Sequence, residues 1–202
     1  MRPALARGHA PRCCIPVAFS LALALAGALA HATAGAAEPL AACLACHGGD
    51  GQSRNAGVPS LGGQQRAYLA TQLYLFREGL RSGAPMATLL HDWTDEALQA
   101  AAAQLATLPA PLPPAAPVDA ARLERGRALV QRYHCAQCHG PHFAGHDGVP
   151  RIGAQREDYL ARTLREFKGN VRAGYDGTMA EVLQPVTAAD IDDLAYLLAR
   201  AP

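Results

Sequence analysis

The sequence predicts an all-α chain built from one helical module used twice, and three observations carry that prediction. Laid on itself, the 202-residue chain brings Cys43, Cys46 and His47 onto Cys135, Cys138 and His139, and the match continues through most of each copy. Apolar residues recur at helical spacing in both copies, as Tyr68, Leu69, Leu73 and Phe76 and as Tyr159, Leu160, Leu164 and Phe167. No stretch shows strand alternation or a paired hairpin signal.

The chain opens on a leader. Arg2, Arg7 and Arg12 precede an apolar run from Ile15 to Ala30, and the small residues HATAGAA follow, with no acid before Glu38. This order predicts a cleaved secretory signal peptide over residues 1–37, because the run falls short of the roughly 20 residues that span a bilayer. Leu40-Ala41-Ala42-Cys43 resembles a lipoprotein cleavage box, but it lies well past the apolar run and Cys43 has a stronger claimant. Cleavage discards Cys13 and Cys14 and leaves four cysteines in an exported, oxidising compartment. It also removes three arginines and no acid, so 18 basic against 17 acidic side chains become 15 against 17. So even a balance argues against nucleic-acid binding.

Residues 38–108 form the first module and 119–202 the second. Pro59, Gly62, Gln64, Arg81 and Gly83 have counterparts in Pro150, Gly153, Gln155, Arg172 and Gly174. An insertion, Tyr175-Asp176, then shifts the register, so that Met86, Thr94, Leu98 and Leu105 correspond to Met179, Thr187, Ile191 and Leu198. Thr94 and Thr187 are N-cap candidates for a closing helix in each module. Asp119 opens a further helix through Leu123, Ala128 and Val130 that leads into the second cysteine motif. Between the modules, residues 109–118 (PAPLPPAAPV) hold five prolines, which favours a polyproline II tether able to span about 30 Å at ~3.1 Å per residue.

C-x-x-C-H occurs twice, as Cys43-Leu-Ala-Cys46-His47 and Cys135-Ala-Gln-Cys138-His139, and is the mark of c-type haem attachment. Two thiols one helical turn apart reach the two vinyl groups on one edge of a haem, and the next residue presents its imidazole to the iron. Zinc binding would not require a histidine after each second cysteine, and a redox dithiol would not require two copies. The methionines complete the set. After Met1, only Met86 and Met179 remain, at equivalent positions of the repeat, so each is predicted to face its histidine across the iron. Two covalently bound haem c groups follow, held by Cys43, Cys46, Cys135 and Cys138, with His47 and Met86, and His139 and Met179, as axial ligands.

Other residues have supporting roles in prospect. The carbonyls of Pro59 and Pro150 are positioned to accept the imidazole Nδ1–H and so fix each ring. Arg81 and Arg172 are candidates to pair with haem propionates, and Gln64 and Gln155 to make polar contacts near the haem edge. His91, His134, His142 and His146 have no histidine counterparts in the other copy and read as surface or supporting residues. Modules this small form marginal cores from side chains alone, and only 5% of the residues are aromatic. A buried haem supplies the missing apolar surface.

Each copy resembles a class I cytochrome c domain, and the pair resembles the dihaem cytochrome c4 family. The residues that carry the likeness are CLACHG and CAQCHG, Pro-Ser-Leu-Gly-Gly-Gln and Pro-Arg-Ile-Gly-Ala-Gln, the two Tyr-Leu…Leu…Phe stripes, and the single Met before each last helix. The resemblance implies two tandem class I domains packed about a pseudo-twofold axis with propionate edges facing. It implies a periplasmic electron carrier, not an enzyme, that passes electrons along a respiratory chain to a terminal oxidase. Its donor would be a quinol-oxidising complex or a dehydrogenase, and any membrane association would be peripheral, through such partners. The alternatives are an electron-transfer subunit of a periplasmic dehydrogenase complex and, further off, a haem peroxidase or sensor. One departure stands out: cleavage after Ala37 leaves only five residues before Cys43, where the second module has the helix from Asp119 to Tyr133. The thinner cover predicts a lower potential for the first haem.

Overall fold

Helices and the loops between them account for the architecture of residues 37–172 and 177–202, the part of the chain that the computed structural model describes. The leader predicted over 1–37 lies outside the described residues except for its last position, as do Gly174 and the Tyr175-Asp176 insertion. The helices are α1 (Ala37–His47), α2 (Arg66–Arg77), α3 (Ala84–Leu90), α4 (Asp95–Thr107), α5 (Ala120–Arg132), α6 (Cys135–His139), α7 (Glu157–Lys168), α8 (Gly177–Leu183) and α9 (Ala188–Leu198). A 3-10 turn spans Pro141–Phe143. The only strand-like feature among the described residues is an isolated bridge between His146 and Val149. The all-α prediction is borne out.

The repeat reappears as three dimensions. α2 and α7 carry the two apolar stripes and α4 and α9 close the modules. The predicted caps form: Thr94 Oγ1 accepts from Ala97 N at 3.2 Å, and Thr187 with Asp190 makes a reciprocal capping box at 3.1 Å on each side. Asp119 caps α5 through Arg122 N at 3.0 Å. The short α3 and α8, which carry the methionines, have seven residues each, too few for a periodic signal in the sequence.

The helices pack within their own half: α2 against α3 and α4, α1 against α4, α5 against α9, and α7 against α8 and α9. Leu69, Leu73, Leu90, Leu98, Ala102 and Leu105 form the first core, joined at its edge by Leu40, Leu44 and Trp93. Leu129, Leu164, Leu183, Val186, Ile191 and Leu194 form one cluster of the second half, and Leu160, Ala195 and Leu198 centre another. α1 continues through the cysteine motif and packs on α4, through a much smaller contact than that of α5 on α9. At the α5–α9 crossing, Gly126 brings the helices together where a Cβ would lie 2.7 Å from Leu197 Cβ and 2.8 Å from the Asp193 carbonyl oxygen. Arg122 and Arg200 stack on the Tyr196 ring beside that crossing, at 4.0 and 3.5 Å from its centroid.

Residues 109–118 contain neither helix nor strand. The start of this segment is docked on the first half: Pro109 O and Ala110 lie where side chains on Gly62 and Gly63 would stand, and Leu112 N donates to Gln52 Oε1 at 3.1 Å. Among the described residues, no helix is long and apolar enough to cross a membrane.

Candidate functional site

The two cysteine motifs form helix ends. α1 terminates at His47 and α6 at His139, and the i, i+3 spacing sets each cysteine pair on one helix face, one turn apart. Of the motif cysteines, Cys43 is buried, Cys135 half-buried, and Cys46 and Cys138 are exposed. Burial pushes the Cys43 and Cys135 thiols up. Each pair therefore runs from the protein interior to its surface, as attachment along one edge of an inserted flat group requires.

Both motif histidines are buried, at 6% exposure for His47 and 5% for His139. Each ring is fixed by one bond: His47 Nδ1–H donates to Pro59 O at 2.8 Å and His139 Nδ1–H to Pro150 O at 2.9 Å. These are the two carbonyls the spacing singled out. With Nδ1 carrying the proton, Nε2 keeps its lone pair, and burial lowers both imidazole pKa values so that the neutral, metal-binding form prevails. Met86 on α3 and Met179 on α8 are half-buried, each packed against the core of its own half. The thioether is the one soft donor that each module offers besides its cysteines. No group of three or more His, Cys, Asp or Glu that could hold a metal ion occurs among the described residues. His91, His134, His142 and His146 are all exposed.

A polar seam joins the two halves. At its centre Arg81 Nη1 donates to Gln72 Oε1 at 2.6 Å and Arg81 Nη2 to Tyr159 Oη at 3.1 Å, while Arg172 Nη2 reaches Gln72 Oε1 at 3.3 Å. Both guanidinium groups also lie over equivalent rings, Arg81 on Phe76 at 4.3 Å and Arg172 on Phe167 at 4.9 Å. Burial pushes the Tyr68 phenol up, with Tyr159 adding to the effect. Burial acts the same way on Tyr159, but the charges of Arg81 and Arg172 outweigh it and hold that phenol below its usual range. Gln72 Nε2 and Arg172 Nη1 are buried with no acceptor. A cationic cluster with two orphaned N–H donors calls for anionic oxygen, and haem propionates fit that demand. Sequence reasoning found the arginines by their equivalence in the repeat. It missed the phenols of Tyr68 and Tyr159, which read as members of an apolar stripe, and Gln72, which has no glutamine counterpart.

Gln64 and Gln155, the candidates for polar contacts near the haem edge, are each buried and bonded to the backbone of the opposite half, beside the prolines that hold the motif histidines. Gln64 Nε2 donates to Arg151 O at 2.9 Å and its Oε1 accepts from Arg151 N at 2.7 Å. Gln155 Nε2 donates to Ser60 O at 2.9 Å and its Oε1 accepts from Ser60 N at 2.8 Å. Around this reciprocal pair, Asp158 Oδ2 accepts from Gly57 N at 2.8 Å, Arg162 Nη2 donates to Gly57 O at 2.8 Å, and Arg156 Nη1 donates to Ser53 O at 3.3 Å.

Comparison with known proteins agrees with this geometry. Residues 121–198 match the family described as cytochrome c oxidase, cbb3-type, subunit III. The chain is 33% identical to a cytochrome c4 of Pseudomonas aeruginosa over 181 residues, covering 85% of this chain and 89% of the relative. It is 35% identical over 202 residues to a thiosulfate dehydrogenase electron acceptor of Thiomonas intermedia, covering 93% of each. Its fold superposes on the crystal structure of reduced recombinant cytochrome c4 from Pseudomonas stutzeri with a TM-score of 0.74, at 26% identity, over 82% of this chain and 96% of that one.

Proposed function

Since the chain belongs to the cytochrome c4 family of dihaem electron-transfer cytochromes, we propose that it is a periplasmic carrier that moves single electrons through a respiratory chain to a terminal oxidase. One observation supports this above the rest: each half presents a buried histidine with Nδ1 already occupied, two cysteines one helical turn apart beside it, and the only methionine of that half beyond the leader. Cys43 and Cys46 hold one haem c and Cys135 and Cys138 the other. His47 with Met86, and His139 with Met179, would supply the protein ligands to each iron. When bound, the haems supply reversible one-electron redox chemistry.

The protein's part is to hold and tune. The Pro59 and Pro150 carbonyls keep each imidazole in one tautomer and raise its basicity toward the metal. The methionine sulfurs favour the reduced iron and raise the potential. The leucine-rich cores exclude water, and Arg81 and Arg172 at the seam would offer positive charge to haem propionates. With a histidine and a methionine of each half committed to its haem, the chain would leave no ligand position for a substrate, as a carrier requires and a peroxidase or sensor does not.

The test is to mix the reduced protein with respiratory membranes and follow its reoxidation. Rapid, oxygen-dependent reoxidation blocked by cyanide is the expected result; none at all contradicts the assignment. A second reading, acceptor for a periplasmic dehydrogenase, is favoured by the likeness to the Thiomonas intermedia protein. Reduction by a purified thiosulfate dehydrogenase, without turnover at an oxidase, would select it.

A further inference from the structure

The reciprocal glutamines reach further than holding the halves together. Gln155 Oε1 accepts from the N–H of Ser60, and the carbonyl on the other side of that same peptide group is Pro59 O, which accepts from His47 Nδ1. One unbroken line runs from Gln155, through the Pro59–Ser60 peptide, to the His47 ring. The mirror-image line runs from Gln64, through the Pro150–Arg151 peptide, to the His139 ring. The glutamines are 7% and 5% exposed, so neither line is shared with bulk water.

A peptide group whose N–H is engaged by an acceptor is polarised and becomes a better acceptor at its own carbonyl. The two lines therefore act on the imidazoles, not on the backbone alone. The Nε2 donates to Ser60 O, or to Arg151 O, the carbonyl of the following peptide group, so each glutamine grips both backbone groups of the residue that follows the histidine's proline. Each oxygen Oε1 also accepts from the next backbone N–H of its own chain, Gln65 N or Arg156 N at 2.9 Å, which locks the glutamine itself.

The geometry points to Gln64 and Gln155 as crossed positioning residues: each sets the hydrogen bond to the axial histidine of the opposite half, and so tunes the haem it does not itself belong to. This rests on the axial roles given above to His47 and His139. A stronger Nδ1–H···O bond gives the imidazole more anionic character, favours the oxidised iron and lowers the potential. Loss of the glutamine amide relaxes that effect.

The test uses the full holoprotein and two mirrored substitutions, Gln155→Met and Gln64→Met, read by spectroelectrochemistry and by the paramagnetically shifted imidazole Nδ1–H resonances. Gln155→Met is expected to raise the midpoint potential of the first-half haem and to speed hydrogen exchange at His47 Nδ1–H, leaving the second-half haem unmoved. Gln64→Met is expected to do the reverse. Gln155→Glu keeps an acceptor for Ser60 N–H and should not reproduce the upward shift; it also serves if Gln155→Met does not accumulate as folded holoprotein. A shift in the haem of the substituted half, equal shifts in both, or no shift in either with the fold retained overturns the proposal. The ligation on which it rests is read separately, from the iron–thioether charge-transfer band and the imidazole resonances of the unsubstituted protein.

Discussion

Gly126→Ala sets two effects of comparable size against each other, and the structure decides the sign. Gly126 lies inside α5, where replacing glycine by alanine ordinarily stabilises a helix by about 1 kcal/mol. Here the new methyl would meet Leu197 Cβ at 2.7 Å and the Asp193 carbonyl oxygen at 2.8 Å. Unstrained carbon contacts need about 3.5–4.0 Å, so α5 and α9 must part by close to an ångström. Neither neighbour is the free end of a side chain, so rotation cannot relieve the contact. Separation would also disturb the Arg122 and Arg125 pairs with Asp193 and the Asp119 N–H bond to Tyr196 Oη at 2.7 Å. Overpacking of this kind costs about 1–3 kcal/mol, and with those bonds loosened the upper part of that range applies. The net expectation is a loss of about 1–2 kcal/mol, which at the scale of a domain this size lowers Tm by roughly 2–8 °C. Denaturant unfolding of the holoprotein followed by far-ultraviolet circular dichroism measures it. A gain of about 1 kcal/mol would show that propensity alone governs the site and would refute the account of the crossing.

Three further outcomes follow from the site and the seam. Met86→Ala removes one of two iron–thioether bonds, so half of the corresponding charge-transfer absorption should disappear and the reduced first-half haem should bind carbon monoxide, while Met179→Ala does the same to the other haem; an unchanged spectrum would exclude these ligands. Asp158 is partly buried, which opposes its charge, but bonds from Arg156 and from the Gly57 and Tyr159 N–H groups hold its carboxyl below the ordinary 3.8. Its stabilising effect is thus full above the unfolded carboxylate pKa and is lost as pH falls through the depressed folded value, so the wild type should lose more stability than Asp158→Asn between about pH 4 and pH 2, as acid titration of unfolding would register; parallel curves would contradict it. Lys168 is the only lysine, and its Nζ is engaged with the Gln184 carbonyl at 2.7 Å. With no lysine-rich docking face, electron-transfer rates with partners should vary only gently with ionic strength, and a steep dependence in stopped-flow mixing would count against that view.

What the sequence made legible was what local chemistry determines. The cysteine motifs, the caps at Thr94, Thr187 and Asp119, and the stripes of α2 and α7 each depend on neighbours within a few positions, and comparing the copies doubled every signal. The methionines were found by counting, although their short helices left no periodic trace. The seam stayed hidden because its bonds join residues far apart in the chain: Gln155 and Ser60 are 95 positions apart, Gln64 and Arg151 87. Nothing local marks a glutamine as destined for a distant peptide group. The repeat did mark both glutamines as equivalent, and a twofold arrangement makes equivalent residues reciprocal partners. The thin cover expected over the first motif also looks different in three dimensions, since α1 packs on α4 and His47 is as buried as His139.

The central claim is that two covalently held, His/Met-ligated haems make this chain a one-electron carrier. A spectroelectrochemical redox titration of the purified protein, with haem content fixed by pyridine haemochrome, tests it most directly. The account predicts two haems per chain and two one-electron transitions, with the iron–thioether band lost in step with both. One haem per chain, or a transition not accompanied by loss of that band, would contradict it.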